Sequence, residues 1–332
     1  MPQTPGRPAT MLDVARLAGV SHQTVSRYLR FDGGLKPATS ERIAAAVAEL
    51  GYRPNLVARS MRTRRTGRLA VVLPGPGAFS PVSTVSGAVA AAAEAGFAVE
   101  ALSVGGGAEA RGERVRELID SGAVEGVLSL APLPDDFETP SVPVLVSPDF
   151  DDDMRSLGHR ASGAAVAELV RGLADLGHRR FVHVTGDLAF ASARARREVF
   201  LETLAALGLR PAAVVEGDWG AQSGAAAVHA LAPGEATAVI AANDIVAGGA
   251  IRAARARGWD TPGTLSVTGW DDHDLGALLS PSLTTVRVDH ERLGHDAMAH
   301  LVASIRGDDA PTPPEVALHR VIWRESTGPA AG

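Results

Sequence analysis

"MLDVARLAGVSHQTVSRYLR", residues 11–30, is the stretch on which the reading of this 332-residue chain turns. Thr10, with Asp13 three positions on, forms a capping box that starts a helix. Leu12, Val14, Ala15, Leu17 and Ala18 supply that helix with an apolar face. Gly19 suits a tight turn, and Ser21 is a good N-cap for a second helix running to about Leu29. Helix, short glycine-containing turn, helix is the helix-turn-helix plan. The exposed face of the second helix is expected to carry His22, Gln23, Ser26 and Arg27, with Thr24 beside them. Glutamine suits adenine, and arginine suits guanine or phosphate. A third helix is predicted from about Ser40 to Leu50, with Ile43, Val47 and Leu50 at helical spacing and Gly51 as its stop. It closes a small three-helix core.

Charge agrees with a polyanion partner for this head alone. Residues 1–68 hold twelve Lys/Arg against four Asp/Glu, a net of +8. The whole chain carries −6, so the remainder, with 20 basic and 34 acidic residues, carries −14. An acidic body argues against nucleic acid lying across the whole molecule. Pro54 breaks the chain after the third helix, and Asn55 can cap a short helix. The stretch to Arg68 carries Arg59, Arg62, Arg64 and Arg65 around one apolar residue, Met61. A basic segment with an apolar wedge fits the minor groove. A flexible charged linker fits the composition equally well.

From Leu69 on, apolar runs alternate with alanine-rich or amphipathic stretches. The runs are "LAVVLP" (69–74), "FAVEALSV" (97–104), "VEGVLSLAP" (124–132), "PVLVSP" (143–148), "FVHVTG" (181–186), "AAVVEGD" (212–218), "ATAVIAAN" (236–243), "LSVTGWD" (265–271) and "TTVRVD" (284–289). Near-continuous apolar strands separated by helices imply parallel sheets covered on both faces. About 260 residues exceed one comfortable sheet core, so two lobes are expected. Ligands of such sheets sit at the carboxyl ends of the strands. Four places there carry polar or aromatic residues: "ASARARR" with Arg194 and Arg196, "VEGDWG" with Asp218 and Trp219, "AAND" with Asn243 and Asp244, and "VTGWDD" with Trp270, Asp271 and Asp272. Arginine offers a rigid fork of donors, aspartate accepts in pairs, and a tryptophan face packs on the C–H side of a pyranose. That is the chemistry of sugar recognition. Asp244 and Asp272 also read as helix caps or strand-end turns.

Other chemistries find little support. With no cysteine there is no disulfide framework and no thiolate metal site. The acidic run Asp149–Asp153 lacks the Gly and Glu of a calcium loop, having Met154 and Arg160 instead. There is no G-x-S-x-G elbow and no H-E-x-x-H. The expectation is a non-enzyme with no metal and no cofactor. With no apolar run of membrane-spanning length and no apolar leader, a cytoplasmic protein with no membrane partner is expected.

The head, "MLDVARLAGVSHQTVSRYLR" followed by "ERIAAAVAELGYRPNLVARSMR" (41–62), resembles that of the lactose-repressor (LacI/GalR) family. The resemblance continues through "SAR-A-R", "EGDW-A-SG", "AND", "G-DD" and "P-LTT", covering residues 10 to 328. It implies an all-α helix-turn-helix headpiece (10–53), a hinge helix (54–67) and a two-lobed, Rossmann-like sensor domain similar to periplasmic binding proteins (68–328). The lobes would be about 68–158 plus 290–317, and 159–287 plus 318–328. By this resemblance His22, Gln23 and Arg27 read the major groove, and the hinge segment, with Asn55, Arg59 and Met61, enters the minor groove. Arg196, Trp219, Asn243 and Asp271 carry over as effector contacts, with an apolar rim at Phe79, Pro81 and Val85. There are departures: Pro148 and then Asp149 where many members have an acidic residue, Ser162 before Gly163, and Val288 at the position of a Gln contact. The chain ends at "WRESTGPAAG" without the leucine-rich helix of tetrameric members, so the resemblance implies a homodimer. The expected partners are double-stranded operator DNA and a small-molecule effector. A sugar is favoured over a purine corepressor, because the chain is only 4% aromatic and one cleft tryptophan stands out.

Overall fold

The computed structural model describes residues 9–29, 35–52, 65–73, 82–139, 141–146, 164–309, 311 and 319–331. The chain divides into two compact units, Met1–Thr66 and Gly67–Gly332. In the first, α1 (Met11–Ala18), α2 (His22–Tyr28) and α3 (Pro37–Glu49) enclose Val14, Ala15, Ala18, Val25, Ile43, Ala46 and Tyr52. The capping box forms: Asp13 N–H donates to Thr10 Oγ1 at 3.3 Å, and Thr10 N–H donates to Asp13 Oδ2 at 2.9 Å. Gly19 ends α1 at φ 62°, the left-handed conformation that only glycine adopts without strain. Two details differ from the sequence reading. Leu12 and Leu17 are exposed, since Val14, Ala15 and Ala18 alone fill the inner stripe of so short a helix. And α3 begins three residues before Ser40, because Pro37 fits the first turn, where its missing N–H has no partner to lose.

The second unit holds two sheets of one design. Strands β1 (Arg68–Leu73), β2 (Ala98–Ser103), β3 (Val127–Ser129) and β4 (Val144–Val146) form a parallel sheet of order β2-β1-β3-β4. Strands β5 (Phe181–Val184), β6 (Ala213–Val215), β7 (Ala238–Ala241) and β8 (Ser266–Thr268) repeat it as β6-β5-β7-β8. The first sheet carries α4 (Val82–Glu94) and α5 (Ala108–Asp120). The second carries α6 (Ala164–Asp175), α7 (Ala191–Ala206), α8 (Ala221–Ala230) and α9 (Asp244–Ala256), with the short α10 (Asp274–Leu278) after β8. An antiparallel ribbon, β9 (Thr285–Val288) with β10 (His319–Ile322), continues the second sheet through bridges Thr268–Thr284 and Asp271–Arg287. Helix α11 (His290–Arg306) leaves β9 and returns to the first sheet.

Each lobe also has one helix pair packed backbone to backbone. A Cβ on Gly87 of α4 would lie 1.8 Å from Glu291 O, and one on Gly294 of α11 would lie 1.8 Å from Thr84 O. In the second lobe, a Cβ on Gly224 of α8 would lie 2.0 Å from Val246 O, and one on Gly249 of α9 would lie 1.9 Å from Ala221 O. Each pair thus leaves no room for a side chain at its crossing. An apolar cluster also joins the lobes, bringing Leu69, Val71, Leu128 and Leu130 of the first together with Phe190, Ala193, Trp219 and Ala242 of the second. No helix among the described residues is long and apolar enough to cross a membrane.

Candidate DNA-reading helix and effector cleft

Helix α2 is set by Ser21, whose hydroxyl accepts Thr24 N–H at 3.1 Å. His22, Gln23 and Arg27 are exposed. Thr24 is half-buried, its hydroxyl 2.8 Å from that of Ser21. Ser26 corrects the sequence reading: it is buried beside Val25, at 6% exposure, and does not belong to the outward face. Val25 belongs to the core that α1 and α3 share. Asn55, Arg59 and Met61 of the expected hinge, and Phe79 and Pro81 of the expected cleft rim, lie outside the described residues.

The second cluster is built on the strand ends of the second lobe. Arg196, on the first turns of α7, donates from Nη1 to Ala242 O at 2.9 Å. Its guanidinium stacks 4.0 Å above the Trp270 ring and lies 5.9 Å from the Trp219 ring. Stacking on an indole and a backbone carbonyl fix the plane of the guanidinium before any ligand arrives. Trp219 follows β6 at φ 66°, and its ring lies on the backbone of Gly186, where a Cβ would come within 2.3 Å. Phe190 meets Trp219 edge-on, centroids 5.6 Å apart. Asn243 caps α9 by accepting Val246 N–H at 2.8 Å, and its amide donates to Trp219 O at 3.1 Å. At 2% exposure, Asn243 braces Trp219 from behind. Val85, half-buried on α4, packs against the cluster that contains Trp219. Neither buried indole N–H, of Trp219 or of Trp270, has a hydrogen-bond partner among the described residues.

Asp271 follows β8 at φ 100°, and its Oδ1 lies 3.2 Å from His290 Nε2. His319, on β10, faces the Trp270 ring with centroids 5.5 Å apart. Burial, and then the nearby Arg196, pull the His319 imidazole down to about 4, so it is neutral at pH 7. His183, under Arg196, is likewise brought to about 4 by burial.

The neighbouring acids are structural. Burial alone would raise Asp272, yet bonds from Arg324 and Arg287, both at 2.6 Å, hold its carboxyl below the usual range. Asp244 accepts His273 N–H at 2.6 Å and the Thr285 hydroxyl at 2.5 Å, while burial pushes it up to about 7. Arg194 turns back to Leu188 O. The four places singled out at the strand ends thus split: Arg196, Trp219 and Asp271 converge, Asn243 supports Trp219, and Asp244 and Asp272 tie loops.

Residues 10–55 match the family model described as bacterial regulatory proteins, lacI family, and residues 170–327 match a periplasmic binding protein-like domain. The lactose operon repressor of Escherichia coli (strain K12) is 31% identical over 313 residues, 91% of this chain and 86% of that protein. The chain belongs to the LacI family of transcriptional regulators. Among solved structures of the family, the lac repressor dimer bound to operator and the anti-inducer ONPF superposes with a TM-score of 0.84. It is 29% identical and covers 97% of this chain and 100% of its own. The complex of the transcriptional regulator CelR with cellobiose gives 0.66, at 28% identity over 96% of this chain and 99% of its own.

Two residues beside the candidate site were not singled out from the sequence, His290 against Asp271 and His319 against Trp270. Trp270 was visible in "VTGWDD", but nothing in a string shows that it lies under Arg196. Trp270 is buried in the core with Phe200 and Val286. His290 opens α11 just after β9, a strand whose pairing with β10 the sequence does not reveal. His319 lies on β10, a half-exposed antiparallel strand with no continuous apolar run to reveal it.

Proposed function

We propose that the chain is a cytoplasmic, effector-controlled transcriptional repressor. As a homodimer it binds a palindromic operator through His22, Gln23, Thr24 and Arg27 of α2, and a small saccharide releases it. A two-fold dimer presents two recognition helices to half-sites related by the same axis. The observation that carries the effector reading is the guanidinium of Arg196, stacked on Trp270 beside Trp219, with Asp271 next in the chain to Trp270. A planar donor fork, an acceptor pair and aromatic faces suit vicinal hydroxyls and the apolar side of a sugar ring. The named complexes of relatives point the same way: one repressor with ONPF and operator, one regulator with cellobiose. Dimerisation is supported by an apolar surface on α9 and α10, where Ile245, Leu275, Leu278 and Leu279 are exposed around a depression of about 620 Å3.

A purine corepressor is the second reading. The Trp219 ring beside Arg196, met edge-on by Phe190, is the observation that favours it. Two variants test the assignment. Arg27→Ala is expected to lose operator binding and keep effector binding. Asp271→Ala is expected to lose effector response and keep operator binding. Operator binding unchanged in Arg27→Ala, or lost in Asp271→Ala, would show that the residue is misassigned.

A further inference from the structure

We infer that His290 is a cross-lobe latch, whose bond to Asp271 transmits occupancy of the cleft from the second lobe into helix α11 and the first lobe. This rests on the proposed role of Asp271 as an effector contact. The chain passes from one lobe to the other within a few residues here. Val288 is buried in the second lobe's core with Val286 and Val321. Ala297, Met298 and Leu301 of α11 are buried with Leu69, Leu128 and α4 in the first. His290 is the first residue of α11, and its side chain reaches back across the junction to Asp271.

Both ends of the contact are fixed to their own lobes. Asp271 N–H donates to Val286 O at 2.8 Å, and the residue bridges to Arg287, so its carboxylate has little freedom. On the other side, Asp289 caps α11 by accepting Arg292 N–H at 3.1 Å. The glycine crossing at Gly87 and Gly294 then leaves no room for a side chain between α11 and α4. The contact is largely withdrawn from water, with 16% of the His290 side chain and 12% of Asp271 exposed. In such a site an aspartate exchanges one donor for another readily, but is rarely left without one. A sugar hydroxyl donating to Asp271 Oδ1 competes with the imidazole for the same oxygen. When it wins, the first turn of α11 loses its tie to the second lobe. Cleft occupancy and the position of the α11–α4 pair become coupled through differential contacts in two states.

His290→Phe keeps the ring and removes the donor, and His290→Gln keeps a donor. The full-length protein and both variants are titrated with cellobiose, lactose and maltose. Tryptophan fluorescence reads binding, and hydrogen exchange is followed in residues 82–94 and 290–306. In the wild type, the sugar that binds is expected to raise exchange in the first turn of α11. His290→Phe is expected to bind that sugar but to show raised exchange already without it and no further rise, with His290→Gln restoring the wild-type response. A sugar-induced rise in His290→Phe equal to that of the wild type overturns the latch and leaves the effector site standing. Should His290→Phe fail to fold, His290→Leu takes its place with the same expectation. No binding of any of the three sugars by the wild type overturns the saccharide reading, and the latch with it.

Discussion

The two lobes share a frame and differ in chemistry. Both are four-stranded parallel sheets with the same strand order, and both carry a helix pair crossed on glycine. At the described strand ends of the first lobe stand Leu73, Leu130 and Ala131, with Ser129 turned inward to Ala131 O. At those of the second stand Arg196, Trp219, Trp270 and Asp271. Buried ionisable groups follow the same division: among the described residues of the sensor unit, the acids and histidines shifted by burial lie in the second lobe or on β10 beside it. A repeated fold thus carries, among the described residues, a polar and aromatic cluster at the strand ends of the second lobe.

The largest expected effect lies on the pH axis of the second lobe. Asp244, pushed up to about 7, keeps a proton when folded that the unfolded chain releases above about 4. Its contribution is thus most favourable at low pH and declines as pH rises from about 4 to 7. His183 and His319, drawn down to about 4, act in the opposite sense: stability falls as pH drops from about 6.5 toward 4. Asp244→Asn should remove the first contribution, so denaturant titrations should show it losing stability on acidification more steeply than the wild type. The difference between the two should change by up to roughly 4 kcal/mol from pH 7 to pH 4. Parallel pH profiles would mean that Asp244 titrates normally.

The shared frame gives the next effect. Gly294→Ala in the first lobe and Gly249→Ala in the second each drive a methyl group into a backbone carbonyl, so each should destabilise by about 1–3 kcal/mol or more in guanidinium unfolding. A large loss in one and none in the other would break the equivalence of the two helix pairs. The smallest effect contrasts surface with interior. The exposed Arg114–Glu117 pair of the first lobe, at 2.7 Å, should contribute less than about 0.5 kcal/mol, so Arg114→Ala should barely move the melting temperature. Asp272→Ala in the second lobe should move it visibly, because Arg287 and Arg324 converge on that buried carboxylate.

Much of this was legible in the sequence. The capping box at Thr10, the glycine turn and the apolar runs of nine strands are local signals, and local signals survive in a string. Convergence is less legible. That Arg196 would stack on Trp270, or that Asn243 would turn its amide to the Trp219 carbonyl, depends on loops meeting from different strands. Ser26 misled because a polar letter on a short helix says nothing about which way it points. His290 and His319 were missed because the ribbon and the return crossover bring them to the cleft from far along the chain.

The most direct test of the central claim is fluorescence anisotropy of the palindrome upstream of the protein's own gene. It is titrated with the protein, and then with a panel of mono- and disaccharides and purines. The account predicts tight binding, release by one saccharide, and loss of that release in Asp271→Ala. Tighter binding with a purine and no response to any saccharide would contradict it.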